Sequence, residues 1–160
     1  MSEDLAAPLR LVVRRTPAMP GVAAAVSVAL RVPADVRCVE EVVELMVRHC
    51  FAGLEPPPCE RTRFRLRVLL SEAITNGILF GASGDPARTV GVAAELTDRT
   101  IRLEVNDEGP GFDPDEVPDP TSPPAVRRPI GRGLFLIRSL ADRVEFNPQG
   151  NTIWMTLPRS

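Results

Sequence analysis

The apolar residues of this chain change their period in blocks, and the order of those blocks restricts the fold. VSVALRV (26–32) alternates in the manner of a strand. Two helical stripes follow back to back. Val36, Val39, Val42, Val43, Met46 and Val47 make the first; Leu66, Leu69, Leu70, Ala73, Ile74 and Gly77 make the second. Strand alternation returns in TVGVAAEL (89–96) and TIRLEVND (100–107), joined by Thr97, Asp98 and Arg99 alone. A long loop, a helix RGLFLIRSLADR (132–143) and the strands VEFN (144–147) and NTIWMTL (151–157) complete the order. These are runs of helix and strand, not repeated strand-helix-strand units. They predict an α+β fold: a two-layer sandwich with a mostly antiparallel sheet covered by helices on one face.

The boundaries follow from local chemistry. Pro33 ends the first strand, and Asp35 is placed to cap a helix running to about Cys50. Gly53 and Pro56-Pro57-Pro58 break the chain before the second helix, predicted from about Glu60 to Phe80. LRLVVRR (9–15) reads as an edge strand within an N-terminal extension of residues 1–20, leaving 21–160 as one domain. A chain of 160 residues suffices for one such core. Between Gly109 and Pro129 lie Pro110, Pro114, Pro118, Pro120, Pro123 and Pro124, so no regular element is expected there. A loop of this length in a compact domain is a functional lid or is disordered.

Composition removes several classes of function. A net charge of -2 offers no basic field for nucleic acid or an anionic membrane surface. The start MSEDLAAPLR is acidic and lacks a signal pattern. The longest largely apolar run, Val22 to Leu30, is far too short to span a bilayer. A cytoplasmic location is therefore expected. Cys38, Cys50 and Cys59 have no metal-type spacing and read as reduced thiols. The single histidine, His49, has no recognisable catalytic partner pattern around it. All 19 basic residues are arginine, which excludes a P-loop lysine and Schiff-base chemistry.

Four stretches carry polar chemistry. In LLSEAITNGILFG (69–81), Glu72 and Asn76 stand four apart and share the flank of an apolar helix. Alone, such a pair is more simply a solvated helix edge. VNDEGPGFDP (105–114) places Asp107, Gly109 and Gly111 just after a strand, where glycine lets backbone approach a ligand closely. Asp107 at a strand end can accept a hydrogen bond from an exocyclic amine such as that of adenine. An ordinary turn has the same composition. IGRGLFLI (130–137) puts Gly131, Arg132 and Gly133 at a predicted loop-to-helix junction, with Arg127 and Arg128 upstream. A helix N-terminus there offers N–H groups to phosphate, and any of the arginines could pair with it; a capped helix without ligand fits as well. QGNTIWMTL (149–157) sets Thr152 at the start of the last strand.

Taken in this order, the stretches resemble the three boxes of the GHKL, or Bergerat-fold, ATPase superfamily over about residues 26–158. SEAITNG is similar to its N box, NDEGPGF to its first glycine box and GRGLFLI to its second. The closest likeness is to the small bacterial serine kinases that act as anti-sigma factors.

The resemblance implies an ATP- and Mg²⁺-dependent serine/threonine kinase that binds a sigma factor and phosphorylates a small anti-anti-sigma protein. It makes Asn76 the Mg²⁺ ligand and Glu72 the general base toward the incoming hydroxyl. Asp107 would bind the adenine amine with support from Thr152, and Gly109 and Gly111 would shape the adenine pocket. Residues 112–130 become the ATP lid, and Gly131, Arg132 and Gly133 a phosphate cradle. Neither nucleic acid nor membrane is an implied partner; a homodimer is permitted by the valine-rich surfaces. Two departures stand out. Gly77 follows the asparagine where the family often has alanine, and Phe80 stands where a polar residue, often histidine, is usual. Two other readings share the ATP site: a regulatory ATP-binding module without kinase activity, and the catalytic part of a split histidine kinase. The surroundings of His49, RHCFAG, lack the pattern expected of a phosphoacceptor.

Overall fold

The computed structural model describes residues 10–17, 19–21, 25–54, 56–116 and 129–159. Among them six strands form one sheet: β1 (Arg10–Thr16), β2 (Ala25–Pro33), β3 (Thr89–Leu96), β4 (Thr100–Asp107), β5 (Arg143–Phe146) and β6 (Thr152–Pro158). Their spatial order is β1-β2-β3-β4-β6-β5, and every neighbouring pair is antiparallel. Three α-helices lie among the described residues: α1 (Val39–Phe51), α2 (Glu60–Asn76) and α3 (Pro129–Leu140). The sandwich predicted from the block order is the one observed.

Alternation along the strands sorts the two faces of the sheet. Val28, Leu30 and Val32 of β2, Val90 and Val92 of β3, Ile101 and Leu103 of β4, and Met155 and Leu157 of β6 are buried. They form one core with Val42 and Met46 of α1, Leu66, Leu70 and Ile74 of α2, and Ile137 of α3. Burying each such side chain contributes roughly 1.5–3 kcal/mol. The intervening residues, such as Ser27, Ala29 and Arg31, are exposed on the uncovered face. There Arg102 lies over the ring of Trp154 at 5.6 Å, and the indole N–H donates to Glu104 at 2.8 Å. β1 closes the sheet at one edge, so residues 10–16 of the expected extension belong to the same sheet.

Strand limits shift by about one residue, and three helix boundaries differ in kind from the sequence expectation. Asp35 caps a single turn of 3-10 helix, Val36–Cys38, before α1 begins. The helix predicted to reach Phe80 is α-helical only to Asn76. From Gly77 to Gly81 it opens into a π turn, in which the N–H of Ala82 bonds the carbonyl of Gly77 at 2.8 Å. The predicted helix over 132–143 instead spans Pro129–Leu140. Proline suits a helix's first turn because its missing N–H would have no intrahelical partner there. The junction glycines therefore fall inside α3. A short 3-10 turn, Pro114–Glu116, also interrupts the expected structureless loop. Residues 117–128, most of the expected lid together with Arg127 and Arg128, lie outside the described residues. No helix among the described residues is long and apolar enough to cross a membrane.

Candidate functional site

Glu72 and Asn76 project from α2 toward α3, which runs antiparallel beside it. At one end Arg65 donates to the carbonyl of Leu140 at 2.8 Å and to Asp142 at 3.2 Å, fixing the C-terminal end of α3. At the other end the first turn of α3 comes down onto the polar pair. A Cβ built on Gly133 would stand 2.8 Å from Oε2 of Glu72 and 3.2 Å from Nδ2 of Asn76. The lack of a side chain at 133 is what lets the α3 backbone, one turn in from the helix's positive N-terminal end, reach the carboxylate and amide. Arg132 of the same turn is exposed.

Beside this pair opens a cleft of about 90 Å³ between α2, the loop after β4, α3 and the turn before β6. Asn76, Phe80, Asp107, Gly111, Leu134 and Thr152 are among its lining residues. The π turn helps shape it, since a π turn widens the helix and displaces its end. Gly81 is thereby pressed against Asp107: a Cβ at 81 would fall within the carboxylate, and one at Gly109 would meet the Gly81 carbonyl. Asp107 accepts a hydrogen bond from the N–H of Gly109 at 2.8 Å. Burial raises its carboxyl above the ordinary aspartate value, with that N–H acting in the opposite direction.

The loop after β4 is seated on the β5–β6 turn. Gly111 and Gly150 have φ of +78° and +72°, and a Cβ on either would strike the other segment's backbone, at Gln149 and Phe112 respectively. Only glycine combines that conformation with so close an approach. The rings of Phe112 and Phe146 meet edge to face at 5.6 Å and wall this end of the cleft.

The two unusual residues of the N box now have physical settings. A Cβ at Gly77 would lie 3.2 Å from Cγ1 of Val90, so glycine lets the helix approach β3 closely. Phe80 forms part of the cleft wall and is 42% exposed.

Of the residues singled out from the sequence, Glu72, Asn76 and Gly133 meet at one end of this site, and Asp107, Gly109 and Gly111 at the other. Gly131 lies in the first turns of α3. Arg128 lies outside the described residues. Thr152 borders the cleft and is buried, but its hydroxyl accepts from the Asn106 amide at 2.5 Å on the outward side of the sheet. His49 sits in the last turn of α1 and is not among the cleft's lining residues. Sequence reasoning missed Gly81 and Asn151. Gly81 closes the quoted stretch, but only the π turn brings it to Asp107. Asn151 immediately precedes Thr152, and its amide reaches the carbonyl of Gly109 at 3.1 Å.

A sheet covered on one face, with this cleft between its helices, defines a two-layer α+β sandwich with an opening beside its polar residues, and comparison with known proteins gives the class. Residues 16–157 match the family model described as histidine kinase-like ATPase domain, and the chain belongs to that family. The anti-sigma F factor of Shouchella clausii is 34% identical over 109 residues, covering 66% of this chain and 73% of that protein. The anti-sigma F factor of Bacillus cytotoxicus is 32% identical over 123 residues, covering 73% and 82%. That of Geobacillus stearothermophilus is 31% identical over 123 residues, covering 72% and 82%.

Proposed function

We propose that this chain is a cytoplasmic anti-sigma factor with ATP-dependent serine/threonine kinase activity, holding a sigma factor and phosphorylating a small anti-anti-sigma protein. The observation that carries this reading is the meeting of Glu72 and Asn76 with Gly133 of α3, beside a cleft that has Asp107 at its other end. The names of the relatives support the sigma-factor partner. A homodimer belongs to the same reading.

In this assignment Asp107 accepts the exocyclic amine of adenine, and the first turn of α3, with Arg132, receives the phosphates. Among the described residues no three His, Cys, Asp or Glu side chains gather as a metal cage. One amide oxygen, from Asn76, suits Mg²⁺, which keeps waters and takes its other ligands from phosphate. When bound, the ion would neutralise charge on the phosphate oxygens. Glu72 would accept the proton of the substrate hydroxyl as its oxygen bonds to the γ-phosphorus and the bond to the ADP oxygen breaks.

The test is to purify the protein with its partners from the native cell, then incubate the complex with radiolabelled ATP. Label on serine or threonine of a small partner, together with a co-purified sigma factor, is the expected result. ATP binding with a bound sigma factor but no label transferred would leave a regulatory module without kinase activity and overturn the kinase assignment.

A further inference from the structure

Two asparagines flanking the β5–β6 turn form a hydrogen-bonded chain that ends at Asp107. Asn147 Oδ1 accepts from the backbone N–H groups of Asn151, at 2.9 Å, and Thr152, at 3.0 Å. Its Nδ2 donates to Oδ1 of Asn151 at 2.6 Å. Asn151 Nδ2 in turn donates to the carbonyl of Gly109 at 3.1 Å, and the Gly109 N–H donates to Oδ1 of Asp107 at 2.8 Å. The backbone N–H of Asp107 returns to the carbonyl of Asn151 at 2.9 Å, closing the loop.

Both amide orientations are dictated by their partners. Asn147 presents oxygen to two N–H groups, so its nitrogen must face Asn151. Asn151 presents oxygen to that nitrogen, so its own nitrogen must face Gly109. A carboxylate at 151 could not donate to Gly109, and a hydroxyl lacks the reach and the second polar atom to do both. No other side-chain hydrogen bond to the Gly109 carbonyl is seen among the described residues.

We propose that Asn151 is a positioning residue for base recognition: by holding the Gly109 peptide, it sets the orientation in which the Asp107 carboxylate meets a purine's exocyclic amine. The proposal rests on the reading of Asp107 as the base-binding group. It assigns to Asn151 a part in discrimination that Thr152, whose hydroxyl is engaged by Asn106, does not take.

The experiment compares ATP with inosine triphosphate, which carries an oxo group where ATP has its amine. Affinities of both are measured by competition against a fluorescent nucleotide for the wild type, Asn151→Asp, Asn147→Asp and Asp107→Asn. Asn147→Asp keeps an oxygen for the two backbone N–H groups and removes the donor to Asn151, together with a longer bond to the exposed Gln149 side chain at 3.2 Å, so it remains informative if Asn151→Asp fails to fold. Asn151→Asp is expected to lower the ATP preference about tenfold, through weaker ATP binding with inosine triphosphate nearly unchanged. Asn147→Asp should change it in the same direction by less.

Equal loss for both nucleotides would mark a general support of the pocket and overturn the proposal. So would unchanged preference in both asparagine variants alongside lost preference in Asp107→Asn, an outcome that leaves the base-binding reading intact. A wild-type protein that does not distinguish the two nucleotides would remove that reading and the proposal together.

Discussion

Gly133 of α3 packs on the carboxylate of Glu72 so closely that a single methyl group at 133 would stand 2.8 Å from Oε2. The contact joins the proposed base to the backbone proposed to receive phosphate. Gly133→Ala should therefore push the Glu72 carboxylate aside from its place at the site. A displacement of about 1 Å costs on the order of a hundredfold in rate, and that is the loss expected in phosphoryl transfer. Alanine favours the helix over glycine by about 1 kcal/mol, so Tm should not fall. Transfer assays beside thermal melts check this, and a variant that loses stability and activity together would point to a packing defect.

Asn76 supplies the side-chain oxygen assigned to Mg²⁺. Asn76→Ala should weaken ATP binding by tenfold or more, about 1.4 kcal/mol, when magnesium is present. With chelator present, wild type and variant should bind alike, because the interaction removed is the one through the ion. Calorimetry in both buffers gives the comparison, and unchanged affinity in magnesium would end the ligand assignment.

Glu72→Gln keeps the shape of the side chain and removes its capacity to accept a proton. General-base catalysis contributes about 100- to 10,000-fold. Transfer should drop within that range while ATP affinity stays close to wild type. Transfer at the wild-type rate would assign the base elsewhere.

Much of this arrangement was legible in the chain because it rests on periodicity. The alternation in 89–96 and 100–107, with three residues between, permitted little besides an antiparallel hairpin. The spacing of Glu72 and Asn76 placed them on one helix flank whatever the helix packed against. What could not be read depended on contacts distant in sequence. Nothing local distinguishes a helix that ends at Asn76 from one that opens into a π turn. The turn's consequence, Gly81 lying on Asp107, is a relation between residues in different elements. The start of α3 was placed too late because the glycines at 131 and 133 read as a break, whereas Gly133 has a tertiary role against Glu72. Asn151 was passed over for a similar reason. An asparagine after Gly150 is an ordinary turn residue until its amide is seen to reach Gly109.

Asp107 offers a test with a defined sign. Burial holds its carboxyl above the ordinary value of 3.8, the Gly109 N–H opposing this, so the folded protein keeps that proton to higher pH than the unfolded chain does. The group's contribution to stability is fully present below 3.8 and is lost as pH rises through the folded-state value. Asparagine does not titrate and still offers an oxygen to the Gly109 N–H. The Tm of Asp107→Asn relative to wild type should therefore climb as pH rises through that window and level off above it. With its oxygen held by Gly109, the asparagine would turn N–H donors toward the adenine amine, itself a donor. ATP affinity at neutral pH should fall about ten- to a hundredfold. Thermal melts across pH, paired with nucleotide titration, measure both effects on one protein. A variant growing less stable than wild type toward neutral pH would show that the fold favours the charged carboxylate and reverse the sign argued here.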